Sequence, residues 1–319
     1  MILRKIVRQL WRSAIGYDGR GSTDDRAFML YRISHQTSYS YNQSVYLRPH
    51  LLRLRPRCNG WQKLHDFSLL VQPQPQGRSE LIDLDGNAIV KLWFDKPTQL
   101  LQLMVTSTVE TFQDNPFNFL LDPIALQLPI AYSSQQRSRL SAYLQPDRQV
   151  FDPASVELAR EIDREVDSNT SFFLTTLNQR IYNDCEYIVR LTGAPWSPGL
   201  TWTEKRGSCR DFTLLFAEVC RAAGLAARFV SGYQEGDRDQ EKRDLHAWVE
   251  VYLPGGGWRG YDPTYGLVVS DRHIALVASP SALEAAPISG QVTPVEPIFV
   301  TGKAVETNME FQLNIDREH

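Results

Sequence analysis

The residue types best suited to covalent chemistry are a cysteine, a histidine and an aspartate in the second half of the chain. Cys209 follows a glycine turn at the start of a helix-patterned run, and His246 and Asp262 lie in strand-like stretches further on. A thiol at a helix N-terminus with a histidine in reach is driven toward the nucleophilic thiolate by the helix dipole and the imidazolium. These three residues are therefore the candidates for a Cys-His-Asp catalytic site.

The segment around Cys209 predicts how a helix would present the thiol. Ser208 is a suitable N-cap, and Asp211 three residues later gives a shortened version of the Ser/Thr-x-x-Glu capping box. Gly207 relieves the backbone before the cap, so Cys209 is expected in the first helical turn. An apolar stripe behind it would anchor the helix in the core: Phe212, Leu215, Phe216, Val219 and Ala223.

A predicted hairpin brings the histidine and the aspartate together. Residues 246–253 alternate with a period of two, and the sequence PGGG at 254–257 then turns the chain. If Tyr252 pairs with Trp258, Asp262 faces Trp248 and lies diagonally beside His246 on the same side of the sheet. The carboxylate would then hold the imidazole in the tautomer that a base needs.

In the predicted mechanism, Cys209 attacks an acyl carbon, His246 accepts and later returns the proton, and Asp262 orients His246. Backbone N–H groups at the helix start would stabilise the oxyanion, and Trp202 is suggested as a second donor. Each residue taken singly also fits a structural role, because cysteines at helix starts, strand histidines and Asp-Pro turns are common.

The remaining patterns predict three regions. Residues 1–26 form a basic extension and a polar, glycine-rich linker, residues 27–150 a β-rich domain, and residues 151–319 a catalytic core with C-terminal strands. In the β-rich domain, short β-type runs are broken by turn signals, which is typical of an antiparallel sandwich-like domain: 31–39, 45–54, 67–71, 89–94 and 101–112. Helical spacing over 154–162 and 172–190 precedes the Cys209 segment.

Composition limits the classes of protein that this chain can be. Its 319 residues carry a formal net charge of −3, which argues against a nucleic-acid binder. The arginines at 53, 55 and 57 fit the solvated face of a strand. Charges interrupt every apolar run near the N-terminus, so neither a signal peptide nor an integral membrane segment is expected. An amphipathic helix there would pack on its own protein, stay disordered, or touch a membrane surface or a partner.

The four cysteines show no CxxC spacing, so a reducing, cytoplasmic compartment is predicted. Cys185 and Cys220 fall on buried helix faces and are predicted to be core residues. No motif for a metal or a cofactor occurs, and none is expected to be needed. The charged stretch at 234–244 is interpreted as a surface loop or a mobile rim next to the histidine.

Four ordered blocks resemble the bacterial transglutaminase-like family: GSCRDF at 207–212, CRAAGLAARFVSGY at 220–233, HAWVEV at 246–251 and GWRGYDPT at 257–264. The β-rich region resembles the domain that precedes this core in many bacterial members, through YSY at 39–41, LRLRPR at 52–57 and DGN at 85–87.

The resemblance implies an α+β, papain-like core of helices on an antiparallel sheet, with a triad at Cys209, His246 and Asp262. Two departures put substrate contacts in doubt. The stretch 201–207 is shorter than in many relatives, and the strand segment at 273–281 lacks the Gly-Arg-Asp that commonly follows it.

We therefore expect a cysteine-dependent protease, amidase or transglutaminase that acts on peptide or protein amide groups. The alternative is a non-catalytic scaffold that keeps the fold and binds a protein partner. The sequence leaves open whether water or an amine resolves the acyl-enzyme, and it does not indicate an oligomeric state.

Overall fold

The fold is known from a computed structural model that describes residues 28–147, 150–190, 193–236, 245–296 and 304–318. The predicted N-terminal extension and linker at 1–26 lie outside the described residues, as do residues 237–244 of the predicted rim. No helix within the described ranges combines enough length and apolar character to cross a membrane.

Strands lie mostly before and after a helical middle section of the described chain: β1 (Met29–Leu47), β2 (His50–Leu52), β3 (Gln62–Gln72), β4 (Gly77–Ile82), β5 (Ala88–Trp93), β6 (Thr98–Thr111), β7 (Glu186–Tyr187), β8 (Arg206–Gly207), β9 (Ala227–Gln234), β10 (His246–Leu253), β11 (Gly257–Asp262), β12 (Leu267–Val268), β13 (His273–Ser279), β14 (Ile288–Ser289), β15 (Val292–Pro294) and β16 (Thr307–Glu318). Helices are concentrated in the middle of the chain: α1 (Ser134–Arg139), α2 (Ser141–Leu144), α3 (Pro153–Glu165), α4 (Thr170–Asp184), α5 (Pro198–Glu204) and α6 (Cys209–Ala222), with a 3-10 turn at Pro123–Ala125.

The N-terminal region consists of two antiparallel sheets that face each other. In the first, β1 pairs with β6 on one side and with β15 and β16 on the other, and β3 follows β6. The second has the order β14-β2-β5-β4. Their facing side chains share one apolar cluster, which includes Tyr41, Leu52, Leu92 and Leu103. The predicted antiparallel, sandwich-like arrangement is therefore confirmed.

The core region has a five-stranded antiparallel sheet of order β12-β11-β10-β9-β13. Helix α6 buries its predicted stripe, including Leu215, Phe216 and Val219, in the cluster that contains Val249 and Val251 of β10. Helices α3 and α4 contribute to the same cluster. The predicted α+β core of helices on an antiparallel sheet is therefore confirmed.

The last described strand, β16, pairs with the first, β1. The C-terminal strands are predicted to belong to the catalytic core, but β16 pairs with β1 of the N-terminal sheet, from Leu30 opposite Glu318 to Tyr41 opposite Thr307. Alternation of apolar and polar residues could not reveal this partner, because it specifies which face of a strand is buried but not the strand it pairs with.

The two regions share apolar packing. Tyr31 and Ile33 of β1 and Leu313 of β16 belong to one buried cluster with Ile274 and Leu276 of β13. The N-terminal sheet therefore covers part of the core sheet. The boundaries at 26 and 150 stay predictions.

Candidate active site

Helix α6 begins at Cys209, as the capping pattern predicts. Ser208 is the N-cap, and its backbone N–H and its hydroxyl both donate to Oδ2 of Asp211 at 2.7 Å. The thiol thus lies in the first turn, where backbone N–H groups lack partners within the helix. Cys209 is partly exposed, whereas Cys185 and Cys220 are buried as predicted and Cys58 is exposed.

The hairpin of β10 and β11 has the predicted register. Tyr252 pairs with Trp258 and Val249 with Tyr261, so the antiparallel pairing continues without a register shift up to the turn. His246 Nε2 donates to Asp262 Oδ2 at 2.7 Å. The imidazole also forms a side-chain hydrogen bond with Cys209. The structure therefore brings the three predicted site residues together.

Burial and charge act in opposite directions on this pair. Burial alone would lower the pKa of His246, but the Asp262 carboxylate and its hydrogen bond, together with Cys209, raise this pKa to about 10. Burial would raise the pKa of Asp262, yet the His246 charge and hydrogen bonds from both neighbouring histidines hold this pKa well below its ordinary value. The site favours an imidazolium beside a carboxylate.

A second histidine shares the carboxylate. His273, at the start of β13, lies with Nε2 3.1 Å from Asp262 Oδ2, and Thr264 N–H donates to Oδ1 of the same aspartate at 3.0 Å. Nδ1 of His273 is buried and has no hydrogen-bond partner among the described residues. Because a carboxylate only accepts, His273 donates to Asp262 through Nε2.

A buried carboxylate supports the segment next to the thiol. Asp211 accepts from Arg190 at 2.6 and 2.7 Å and from the Trp196 backbone N–H at 2.7 Å. Burial would raise its pKa, but these bonds and those from Ser208 outweigh burial and lower it. Asp211, predicted only as a cap residue, thus also fixes the positions of Arg190 and Trp196.

Cys209 and His246 line a cleft of about 470 Å³. Most of the other lining side chains are apolar, and they come from the α4–α5 connection, from the core sheet, from the segment before β14 and from strands β1 and β16. The N-terminal sheet therefore forms part of the wall of the candidate active site.

Comparisons with known proteins agree with both regions. Residues 31–110 match the bacterial transglutaminase-like N-terminal region, and residues 156–263 match the transglutaminase-like superfamily. Together these matches cover more than half of the chain, with the N-terminal region before the core, as the resemblance implies. The chain belongs to the bacterial transglutaminase-like family.

Relatives match this transglutaminase-like protein over different lengths. An uncharacterised protein from Mycobacterium leprae is 27% identical over 269 residues, which is 81% of this chain and 91% of the relative. A protein-glutamine gamma-glutamyltransferase from Pseudomonas aeruginosa is 38% identical over 81 residues, only 23% of this chain and 12% of that enzyme.

The same fold is found in a solved structure from Cytophaga hutchinsonii, a protein provisionally assigned as a cysteine protease. Its TM-score is 0.67 and its sequence identity 22%, with 91% of each chain covered. At this level of identity the comparison concerns the fold alone.

Two features of the transglutaminase-like core differ from the sequence analysis. Trp202 packs against the main hydrophobic cluster with the Lys205 ammonium over its ring, and it does not line the described part of the cleft. The geometry thus gives no support for Trp202 as an oxyanion donor. His273 is not among the site residues predicted from the sequence, although it opens a strand-like run as His246 does. No group of three or more metal-binding side chains was found among the residues that the structure describes.

Proposed function

We propose that the protein is a cysteine-nucleophile enzyme that acts on amide groups of peptides or proteins through an acyl-enzyme. The observation that carries this proposal is the His246 side chain, which is bonded to buried Asp262 at 2.7 Å and hydrogen-bonded to Cys209. Acyl transfer by a thiol requires a nucleophile, a base that contacts it and a carboxylate that orients the base. Cys209, His246 and Asp262 would supply these three groups in that order.

In the first half of the reaction, the Cys209 sulfur attacks the amide carbonyl carbon while His246 holds the thiol proton. When the C–N bond breaks, the imidazolium gives this proton to the leaving amine or ammonia, and the acyl group stays on sulfur as a thioester. Asp262 supports the charged ring throughout, because its carboxylate raises the pKa of His246.

The developing oxyanion needs donors that are already in place. Asp211 N–H and Phe212 N–H bond to the Ser208 carbonyl. The N–H groups of Cys209 and Arg210 come before the first intrahelical acceptor, and the helix dipole favours negative charge at this end. We assign the first oxyanion contact to the Cys209 backbone N–H.

The first test measures the reactivity of the Cys209 thiol. Cys209 should react with iodoacetamide at pH 7 faster than the other three cysteines, and Cys209→Ala should abolish both this fast reaction and turnover. Cys58→Ala is the matched control, because Cys58 is exposed but lies outside the cleft. Uniform, slow alkylation of all four thiols would instead favour a non-catalytic scaffold.

The second test separates transfer from hydrolysis. The P. aeruginosa relative is named a protein-glutamine gamma-glutamyltransferase, so glutaminyl peptides are the first substrates to try. They are incubated with and without a primary amine, and ammonia and product mass are followed. Amine incorporation that outpaces hydrolysis would identify a transglutaminase, ammonia without incorporation an amidase, and backbone cleavage without ammonia a protease.

A further inference from the structure

One wall of the cleft, opposite the core, is formed by two paired strands that are far apart in the sequence, β1 and β16. Thr37 of β1 pairs with Phe311 of β16, and Tyr39 pairs with Met309. All four line the cleft that contains Cys209. This set of four residues is called the β1/β16 wall below.

The β1/β16 wall continues a buried row of side chains. On β16, every second residue faces the core: Ile315 and Leu313 are buried in the cluster shared with β13, whereas Phe311 and Met309 further along are half-buried. Because alternate residues of a strand share one face, the same face that packs on the core continues into the cleft as an apolar surface.

The wall is held in position by buried contacts behind it. The His35 ring lies 4.8 Å from the Phe311 ring, centroid to centroid. Its Nε2 bonds to Thr37 Oγ1 at 2.7 Å and its Nδ1 to Tyr233 Oη at 2.8 Å. Burial lowers the pKa of His35 to about 4, so this ring is neutral near pH 7. A fixed wall binds a ligand without first having to be ordered.

The charges around the cleft favour an apolar ligand over a cationic one. No aspartate or glutamate is among the described lining residues. The two lining arginines are already engaged, since Arg190 is bonded to Asp211 and Arg210 to the Arg190 carbonyl. A lysine side chain of a substrate would therefore lose hydration without gaining a carboxylate partner.

We propose that the β1/β16 wall selects amide substrates that carry a bulky apolar side chain next to the reacting amide. This inference rests on the proposed function, because the cleft is the substrate site only if Cys209 is the nucleophile. The selecting residues are Met309 and Phe311, and the occupant is a peptide segment with phenylalanine or leucine beside the acyl donor.

The test uses glutaminyl peptides with Phe, Leu, Asp or Lys beside the glutamine. Two quantities are measured in the full chain: turnover, and the protection of Cys209 from iodoacetamide by each peptide. Protection reports binding and requires no turnover. We expect Phe and Leu peptides to exceed Asp and Lys peptides by roughly 10-fold or more in both measurements.

Variants of the wall should remove this preference. Met309→Ala and Phe311→Ala should raise KM for the apolar peptides with little change in kcat. Gln312→Ala is the matched control, because Gln312 is exposed on the opposite face of β16. If an alanine variant is unstable, Met309→Gln keeps the volume and changes only the polarity.

Equal protection by all four peptides would overturn the inference, as would a preference that survives in the Met309→Ala, Phe311→Ala double variant. Failure of the proposed function gives a different result: no peptide is turned over and Cys209 reacts no faster than Cys58. Selective protection without turnover would still support the apolar subsite.

Discussion

At the scale of single residues, the site depends on one carboxylate shared by two histidines. Asp262 Oδ2 accepts from His246 at 2.7 Å and from His273 at 3.1 Å, and none of the Asp262 side chain is exposed. A hydrogen bond to a buried charge contributes about 1.5–3 kcal/mol. His273 therefore helps to set the orientation of His246 through Asp262, although His273 does not line the described part of the cleft.

We predict that His273→Leu lowers kcat by roughly 10-fold to 100-fold with little change in KM, because a small misplacement of the base is costly. His273→Gln should restore most of the activity, since its amide nitrogen can reach the position of Nε2. A histidine that only fills space would give the reverse result, in which the apolar leucine is tolerated and glutamine brings no recovery.

The raised pKa of His246 predicts a pH dependence of stability. Its ordinary value is 6.5 and its value in the folded protein about 10, so the stabilisation from the ion pair is complete below about pH 6.5 and is lost as the pH rises through about 10. The difference in free energy of unfolding between the unmodified protein and Asp262→Asn should therefore be largest near pH 6 and shrink up to pH 10. Urea unfolding across this range measures it, and a constant difference would contradict the assignment.

The sequence alone was sufficient to place site residues whose contacts are set by nearby residues in the chain. It was insufficient for site residues whose contacts depend on distant parts of the chain. The capping pattern placed Cys209, and the turn at 254–257 fixed the register that joins His246 to Asp262. His273 could not be placed, because β13 pairs with β9 rather than with the strand before it in sequence. Arg190 likewise bonds to Asp211 although the two residues are 21 positions apart in the sequence.

At the scale of elements, the start of α6 is joined to the α4–α5 connection by Asp211. Arg190 donates to both carboxylate oxygens and to the Ala194 carbonyl at 3.1 Å, and its guanidinium lies over the Trp196 ring. Since Ala194 and Arg190 line the cleft beside Cys209, one buried carboxylate positions both the helix that carries the thiol and part of the cleft wall.

We predict that Arg190→Ala lowers the free energy of unfolding by about 3 kcal/mol, because the buried Asp211 carboxylate loses its charged partner. KM should rise as well, since the adjoining wall of the cleft loses its support. Arg206→Ala is the matched control: its side chain is 50% exposed in the ion pair with Glu204, so we expect a loss below about 1 kcal/mol. Equal losses in the two variants by urea unfolding would contradict this role for Asp211.

At the scale of the whole molecule, β16 links the N-terminal sheet to the candidate active site. It extends the N-terminal sheet along β1, contributes Leu313 and Ile315 to the cluster shared with β13, and supplies Met309 and Phe311 to the cleft. The same β13 carries His273. The N-terminal sheet therefore does more than precede the transglutaminase-like core, because it shares a hydrophobic cluster with a strand of the candidate site.

Because the N-terminal sheet and the core share this hydrophobic cluster, we predict that the two regions unfold together. Leu313→Ala should lower the free energy of unfolding by about 2–5 kcal/mol, since Leu313 is only 6% exposed, and Gln312→Ala on the exposed face should change it little.

Cys220 gives an independent probe of the core, because it is fully buried in α6. If the regions are coupled, pulsed alkylation of Cys220 in urea will follow the same transition as tryptophan fluorescence and shift with Leu313→Ala by the same amount. A Leu313→Ala protein that loses the N-terminal sheet while Cys220 stays protected would show instead that the core folds independently, and the β1/β16 wall would then be separable from the thiol that it faces.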